Sequence, residues 1–484
     1  MAGTGLAGMI MIAVSAAGPS RAVVSAAGPA FGPPWSLMLH PSAQLVTAAL
    51  WTATIAGGGG VMAGVAAVAR GARLPVRALL AAAFMTAGIL AVLPPAGSTD
   101  SLDYAAYGRI AQLGHSPYVM TPLELRRTGD PVGADAPRAW QHDRSWYGPL
   151  ATAEEWAAAE LSGPSALRIT FWLKLWNALA FAAVALTLDR LLRSSPARRA
   201  RAHLIWTANP LLLWGIVAGG HIDGLAAAAG FAGLIVLRPR EPDGDFSGLG
   251  SVAAGVLIGA AVDLKTTFIL FALAAAWALR RRPAALLAAA AGGAAVLVPS
   301  YLVAGRPAVT AITAHVGQFT WDNFYQLFSR PFGYAVPPHL TALAGLAFVV
   351  LAVLLLRRLP AGPWSLPAIQ PAIALTIAWL LVWPFQRSWY AAMALCLLAL
   401  YPASRLDWPA LAVFTAGSLI TMPGMPGKAP PGWLRSVADG NEALLVPMIR
   451  LAALIAVATL AIAAAWHGPR QAAGDESTDP RAVP

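Results

Sequence analysis

The chain has 484 residues, of which 58% are hydrophobic and only 11% are charged, and its formal net charge is +11. Soluble globular domains carry about 25% charged residues, so this composition excludes that class and indicates an integral membrane protein. Most arginines lie in short loops between apolar blocks, without an aromatic-rich basic surface, which argues against nucleic-acid binding. The single cysteine, Cys396, lies in an apolar block and forms no intrachain disulfide.

Apolar blocks follow one another along the whole chain. Each has about the 15–25 residues that a helix needs to cross a bilayer core of roughly 30 Å. The sequence therefore predicts an all-α polytopic membrane protein with about 12–14 transmembrane helices. The blocks cover residues 2–18, 43–68, 76–95, 166–190, 202–218, 222–238, 249–263, 266–280, 284–303, 339–356, 367–384, 388–402, 406–421 and 445–466.

The distribution of arginines predicts the orientation of these blocks. Arginine clusters follow every second block, and the positive-inside rule places such loops in the cytoplasm. Both termini are then cytoplasmic, and the long segments 96–165, 304–338 and 422–444 lie on the outer face. The clusters are Arg70, Arg73 and Arg77; Arg190, Arg193, Arg198, Arg199 and Arg201; Arg238 and Arg240; Arg280, Arg281 and Arg282; Arg357 and Arg358.

The outer segment 96–165 holds nine of the 22 acidic residues and two aromatic, proline-containing stretches, SPYVMTP and RSWYGPL. A connection of this length without secondary structure would be unusual, so the segment is expected to contain short helices on the membrane surface. The stretch EEWAAAELSG, residues 154–163, is one candidate. Residues 467–484 lack an apolar face and are expected to form a disordered cytoplasmic tail, which leaves residues 1–465 as one membrane domain.

Motifs of soluble enzymes, such as a nucleotide-binding P-loop or a dinucleotide fingerprint, are absent from the sequence. The run GGGG at 57–60 lies inside an apolar block, where it favours close helix packing over phosphate binding. Asp100 and Asp103 follow the third block with a spacing that puts both on one side of a helix. They are either residues of a helix start or a general base at the membrane boundary.

Other polar residues at the outer ends of blocks have two interpretations each. His221 and Asp223 form either a ligand-binding or proton-relay pair or a polar turn in which Asp223 caps the next helix. Lys265 either forms a local ion pair with Asp263 or binds an anionic phosphate. Arg387, within the aromatic stretch WPFQRSWY, is a further candidate for a phosphate. Arg168, Lys174 and Arg450 are expected to extend along the membrane to water.

Three stretches in this order carry a family resemblance: STDSLDYAAYGRIAQLGHSPYV, RSWYGPLA and ANPLLLWGIVAGGHIDGL. Together they resemble the actinobacterial polyprenol-phosphate-mannose-dependent α-1,6-mannosyltransferases of the GT-C class, over about residues 40–465. The resemblance implies a GT-C-like bundle in the plasma membrane, with an active site that faces the extracytoplasmic side. It also implies a polyprenyl-phosphate-linked mannose donor, a glycan or glycolipid acceptor and inversion at the sugar carbon. No cofactor is expected. An acidic pair that faces a phosphate could hold a metal, but cations already meet the leaving group, so no metal is expected.

The resemblance assigns roles to individual residues. Asp100 takes the place of the family's catalytic aspartate, and Asp103 is its neighbour and second candidate. Ile222 stands in the His-x-Asp turn where a polar residue is expected, so the role of that turn is open. The substrate-binding residues that the resemblance implies are Tyr104, Arg109, Tyr147, His221, Asp223, Lys265 and Arg387.

Two alternatives remain at this point. One is a related transferase that uses another polyprenyl-linked sugar, because pocket contacts that the sequence does not display set the sugar identity. The other is a lipid or solute transporter. A transporter predicts inverted repeats and polar residues deep inside several spans, whereas the acids here cluster in an outer segment.

Overall fold

The computed structural model describes residues 2–26, 31–241, 244–314, 320, 323–329, 339–363, 365–421 and 432–466. Within these residues the chain is helical and contains no β-strand beyond two isolated bridges. The expected tail 467–484 lies outside the described residues, as do parts of the segments 304–338 and 422–444. The all-α fold class is confirmed.

Long apolar helices alternate with short polar ones. The helices are α1 Ala2–Ala17, α2 Ala43–Ala69, α3 Val76–Val92, α4 Asp100–Gln112, α5 Pro122–Arg127, α6 Pro131–Asp135, α7 Pro149–Ser162, α8 Ala166–Leu191, α9 Pro196–Ile205, α10 Pro210–Leu212, α11 Asp223–Val236, α12 Gly248–Leu264, α13 Ile269–Leu279, α14 Pro283–Thr313, α15 Gln326–Ser329, α16 Leu340–Arg358, α17 Ile369–Val382, α18 Ala392–Leu400, α19 Asp407–Thr421, α20 Trp433–Gly440 and α21 Val446–Ala463.

Each of the fourteen predicted apolar blocks coincides with a helix or a pair of joined helices. Among the described residues, five helical stretches are long and apolar enough to cross a membrane: α2, α8, α14, α16 and Leu434–Ala463. Pro196–Ala218 and Asp223–Val236, bent by 114° at their junction, add a sixth if they form one span. The protein is therefore a multi-pass membrane protein, and the count of 12–14 spans stays a prediction.

Glycines allow the closest helix contacts. A Cβ atom on Gly58 of α2 would lie 2.4 Å from the Thr415 side chain of α19, and one on Gly60 would lie 2.9 Å from the backbone nitrogen of Thr4 in α1. The GGGG run therefore serves helix packing, as the sequence predicts. On another face of the bundle, a Cβ atom on Gly255 of α12 would lie 1.9 Å from the carbonyl oxygen of Ala289 in α14.

The outer segment 96–165 folds into the short helices α4, α5, α6 and α7, as expected. Helix α7 contains the EEWAAAELSG stretch, with Trp156 45% and Leu161 58% exposed. The opposite face of α7 buries Glu155, which is only 1% exposed, against α4. This segment packs on α8 and holds the start of α4 over the turn that precedes α11.

Candidate active site

A cavity of about 390 Å³ opens at the start of α4. Three parts of the chain line it: the first turns of α4, the loop that leads into α7, and the segment between α17 and α18. Aromatic rings make up most of its wall. The lining residues are Asp100, Asp103, Tyr104, Tyr107, Trp140, Trp146, Tyr147, Phe385, Arg387, Trp389 and Tyr390.

The two aspartates share this cavity, as their spacing predicts. Asp100 is the first residue of α4, and its backbone N–H donates to the Ser98 hydroxyl oxygen at 3.1 Å. Thr99 is the N-cap and makes no side-chain capping bond. Since the Asp100 carboxylate is not engaged in capping, it is available to the cavity, where its side chain is 20% exposed. Asp103 is more deeply buried, at 4% exposure.

Asp100 and Asp103 differ in their ease of ionisation. Burial by itself raises the pKa of Asp100, but the neighbouring His221 imidazole, the charge of Arg387 and the Ser98 hydroxyl together lower it below its ordinary value. Burial raises the pKa of Asp103 well above its ordinary value, and the negative charge of Asp100 raises it further. The pair therefore favours a carboxylate at Asp100 beside a neutral acid at Asp103.

His221 connects the turn before α11 to Asp100. Its Nε2 atom lies 3.6 Å from Oδ2 of Asp100, and its ring stacks on Trp389 with a centroid distance of 3.6 Å. The Nδ1 atom contacts the carbonyl oxygen of Gly215, which lies in a π-helical turn, Leu213–Ala218. A carbonyl oxygen only accepts, so Nδ1 carries a hydrogen and Nε2 is the ring atom that faces Asp100.

Lys265 is paired with Asp223, at 2.8 Å from Oδ1 and 2.7 Å from Oδ2. Its ammonium group lies 3.9 Å from the ring centroid of Tyr390. The expected local ion pair between Lys265 and Asp263 is therefore wrong, because Lys265 leaves the end of α12 in extended conformation and meets Asp223 of α11 instead. Asp223 binds Lys265 rather than capping α11. Neither residue of this buried ion pair is among the residues that line the cavity.

Tyr104 and Tyr147 meet at the cavity. Their hydroxyl oxygens are 3.1 Å apart and their rings pack edge to face. The backbone carbonyl of Tyr147 also accepts a hydrogen bond of 3.0 Å from the Tyr118 hydroxyl. Burial is the main reason that the pKa values of both cavity tyrosines lie well above the ordinary value, so both rings present neutral hydroxyls.

Arg109 and Arg387, both predicted to bind substrate, differ in position. Arg109 is not among the residues that line the cavity; its Nε atom lies 2.8 Å from Oδ2 of Asp130, which holds the end of α4 to the start of α6. Arg387 lines the cavity and makes no ion pair within 4 Å in the described part of the chain. The structure thus brings Arg387, but not Arg109, to the same cavity as Asp100.

Lys174 does not reach the membrane surface, contrary to expectation. Its side chain is fully buried and its ammonium donates to the carbonyl oxygen of Leu93, the C-cap of α3. A cation is favourable there because the end of a helix carries partial negative charge. Arg450 is also buried, at 4% exposure, so that expectation is wrong as well, whereas Arg168 is exposed.

Sequence reasoning did not assign six of the aromatic side chains in the cavity. These are Tyr107, Trp140, Trp146, Phe385, Trp389 and Tyr390. Trp146 lies in the RSWYGPL stretch, and Phe385, Trp389 and Tyr390 lie in the WPFQRSWY stretch; an aromatic belt at the membrane interface also explains both stretches. Only the packing of the segment before α18 onto α4 shows that the two stretches form one cavity.

The expectation that no metal is bound stays a prediction. In the ranges that the structure describes, no three His, Cys, Asp or Glu side chains are grouped as a metal site would require. Asp100 has His221 and Arg387 as its neighbours instead.

Comparison with known proteins gives one match. The MptA/B family model, described as alpha-(1->6)-mannopyranosyltransferase, N-terminal domain, matches residues 2–281. No curated protein and no solved structure matches the chain. The matched part is more than half of the chain; it contains Asp100, His221 and Lys265, while Arg387 lies beyond it.

Proposed function

Because this chain belongs to the MptA/B family of alpha-(1->6)-mannopyranosyltransferases, we propose that it transfers mannose from a polyprenyl-phosphate donor to a mannoside or glycolipid acceptor. The observation that carries the proposal is the cavity in which the carboxylate of Asp100 lies together with Arg387, an arginine that has no ion pair among the described residues. A base and a cation in one cavity are what a displacement with an anionic leaving group requires.

The reaction is a single displacement with inversion. Asp100 accepts the proton of the acceptor hydroxyl while the oxygen attacks the anomeric carbon of the donor and the bond to phosphate breaks. The electron pair of that bond leaves with the polyprenyl phosphate. Asp100 suits the base because it is ionised, and Asp103 suits a hydrogen-bond donor because it is neutral.

Charge near the leaving group comes from Arg387. Its guanidinium forms no ion pair among the described residues, so it is free to neutralise the phosphate oxygens as charge develops on them. Lys265 is already neutralised by Asp223, so its role is to hold the turn of α11 and the Tyr390 ring in place. This pair supports the cavity rather than the phosphate.

The aromatic wall suits sugar rings. Trp140, Trp146 and Tyr147 come from the outer segment and provide apolar faces beside polar hydroxyls. His221 stacks on Trp389 and faces Asp100, which orients the carboxylate. The positive-inside pattern of the arginines supports a site on the extracytoplasmic face of the plasma membrane.

A transferase for another polyprenyl-linked sugar would use the same base and cation. Transfer assays with donors that differ only in the sugar therefore distinguish a mannosyltransferase from a transferase for another sugar. A transporter is the less favoured alternative, because the acids of this cavity belong to the short helix α4 of the outer segment rather than to a long apolar helix.

The test uses Asp100→Asn and Asp103→Asn, a matched pair three residues apart on one helix. With membranes, a radiolabelled polyprenyl-phosphate-mannose donor and a mannoside acceptor, Asp100→Asn is expected to lower the transfer rate by about 10²–10⁴-fold, the usual contribution of a general base. Asp103→Asn is expected to stay within a few-fold of the unmodified protein, because an amide replaces an acid that is already neutral. Equal rates for Asp100→Asn and the unmodified protein would rule out the base.

A further inference from the structure

A second cavity, of about 530 Å³, adjoins the Asp100 cavity, and Arg387 lines both. It lies between α17, α18, α19 and α21, with the turn Ser388–Ala391 at one side. The mechanism of sugar transfer does not by itself require it.

The wall of this cavity is apolar over most of its area. Leucine, isoleucine, valine and phenylalanine side chains from all four helices face it, and small residues such as Ala394, Ala410 and Gly417 leave the space open. An apolar cavity of this kind binds a hydrocarbon chain without any loss of hydrogen bonds.

The polar lining residues lie together. Gln386, Arg387 and Ser388 are consecutive, and Arg450 of α21 reaches the same place. A Cβ atom on Gly417 would lie 3.5 Å from Nη2 of Arg450 and 3.9 Å from Cβ of Ser388, so the guanidinium of Arg450 is next to Ser388. Arg450 therefore lines the apolar cavity beside the segment that carries Arg387, and Arg387 also lines the Asp100 cavity.

Arg450 is 4% exposed on a helix that is long and apolar enough to span the membrane. Cations inside a membrane protein are costly and mark sites that bind charged groups. An apolar cavity that is lined by two arginines is complementary to one kind of molecule, an anionic phosphate attached to a hydrocarbon chain.

Resting on the proposed function, we propose that this cavity binds the phosphate-proximal isoprene units of the lipid-linked donor, and that Arg450 is a second phosphate-binding residue beside Arg387. The phosphate then lies at the junction of the two cavities. The sugar extends from it toward Asp100, and the hydrocarbon chain extends between α17, α18, α19 and α21.

The first experiment measures binding and does not depend on sugar transfer. The full chain in detergent is incubated with a polyprenyl phosphate that carries a photoreactive diazirine on the isoprene unit next to the phosphate. We expect labelled peptides from α17, α18, α19 or α21, and competition by unlabelled polyprenyl phosphate but not by the same concentration of inorganic phosphate. Labelling confined to other helices, or labelling without competition, overturns the proposal.

Cavity-filling variants supply the matched control. Ala394→Phe places a ring inside the cavity, whereas Ala347→Phe makes the same change on the exposed face of α16. We expect Ala394→Phe to lower labelling and kcat/KM for the long-chain donor by about tenfold or more, and Ala347→Phe to change neither. Ala410→Leu is the smaller substitution to use if Ala394→Phe does not fold. Equal labelling in a folded cavity variant and the control rejects the site.

The proposed role of Arg450 in phosphate binding is tested by variants that remove or keep its positive charge. Arg450→Met removes the charge at similar volume and is expected to raise the donor KM by about tenfold, while Arg450→Lys recovers most of the affinity. A KM that rises equally in both variants indicates a packing role and contradicts the assignment.

Failure of this proposal and failure of the proposed function give different results. If the chain transfers no polyprenyl-linked sugar, but the cavity is labelled, the lipid-phosphate site stands and the reaction is wrong. If the chain transfers mannose, but the label lies elsewhere, the reaction stands and this site is wrong.

Discussion

At the scale of single residues, the environment rather than the residue type distinguishes Asp100 from Asp103. Both are aspartates on one helix and both line one cavity. His221 and Arg387 favour the charged form of Asp100, whereas burial and the charge of Asp100 favour the neutral form of Asp103. One base and one neutral acid are therefore expected at neutral pH.

His221 is expected to set the pH dependence of Asp100. Burial alone raises the pKa of Asp100, and His221 provides the first of the interactions that lower it. In His221→Gln the acid limb of the kcat/KM profile should move to higher pH, because the carboxylate then takes up a proton at a higher pH. The measurement is the rate of mannose transfer between pH 4 and 8.

His203→Gln is the control for this shift. His203 is also buried and hydrogen-bonded, but its partners are Asp189 of α8 and Thr207, which follows α9. The pH profile of kcat/KM for His203→Gln should match that of the unmodified protein. An acid limb that stays in place in His221→Gln would contradict the link between the two residues.

Glu155 is expected to make the protein less stable as the pH rises. Burial raises the pKa of its carboxyl well above the ordinary value, and the charge of Glu154 raises it further. The folded chain then keeps a proton that the unfolded chain loses above its ordinary pKa of about 4.5, so stability falls with rising pH by about 1.4 kcal/mol per unit. The contribution of protonated Glu155 to stability is complete below a pH of about 4.5, and it is lost as the pH rises through the pKa of the folded state.

Glu155→Gln should remove this part of the pH dependence while keeping the fold. Thermal unfolding in detergent at several pH values between 5 and 9 measures it, with Glu160→Gln, an exposed residue of the same helix, as the control. The same slope in Glu155→Gln as in the control would show that Glu155 is ionised in the folded chain.

At the scale of elements, the contact between α4 and α7 positions the base. A Cβ atom on Gly108 of α4 would lie 2.2 Å from the carbonyl oxygen of Glu155 in α7. No side chain fits at that separation, so the two helices touch through their backbones. The start of α4, with Asp100, is held over His221 because the other end of the helix is fixed to α7 and, through Arg109, to α6.

Gly108→Ala is therefore expected to lower activity and stability together, because α4 must move away from α7. Overpacking of this kind costs about 1–3 kcal/mol or more. Gly88→Ala in α3 is the control, since a Cβ atom there meets nothing within 4 Å. Melting temperature and transfer rate are the two measurements, and a Gly108→Ala protein equal to the control in both would disprove the close contact.

At the scale of the whole molecule, the two parts of the chain depend on each other. The family match ends at residue 281, yet Arg387 and Trp389 of the later part complete the cavity around Asp100. A buried ion pair also joins the parts, with Nε of Arg201 in α9 at 2.7 Å from Oδ2 of Asp407 in α19.

Asp407→Asn is expected to lower the free energy of unfolding by about 3–5 kcal/mol, because it leaves the buried charge of Arg201 without its counter-ion. Asp245→Asn is the matched control, since the Arg282–Asp245 pair is exposed, and it should change stability by less than about 1 kcal/mol. Denaturation in detergent measures both. A loss in Asp407→Asn no larger than in the control would show that the pair does not hold the parts together.

The sequence alone determined where the apolar helices lie and that the segment 96–165 carries many of the acids. Helix position depends on local apolar length, which the bilayer thickness fixes, so the fourteen blocks correspond to helices without knowledge of their packing. The spacing of Asp100 and Asp103 and the order of the three family motifs are also local. The alpha-(1->6)-mannopyranosyltransferase family match agrees with that resemblance.

Only the tertiary structure decided which partner each polar residue has. Lys265 pairs with Asp223 rather than with its neighbour Asp263, and Lys174 is buried at Leu93 rather than extended to water. Arg387 meets the cavity of Asp100 although the two are far apart in the chain. Such contacts depend on how helices that are distant in the sequence pack together. A charged side chain in a low-dielectric interior pairs with the partner that this packing brings close to it, and the spacing of residues along the chain does not specify that partner.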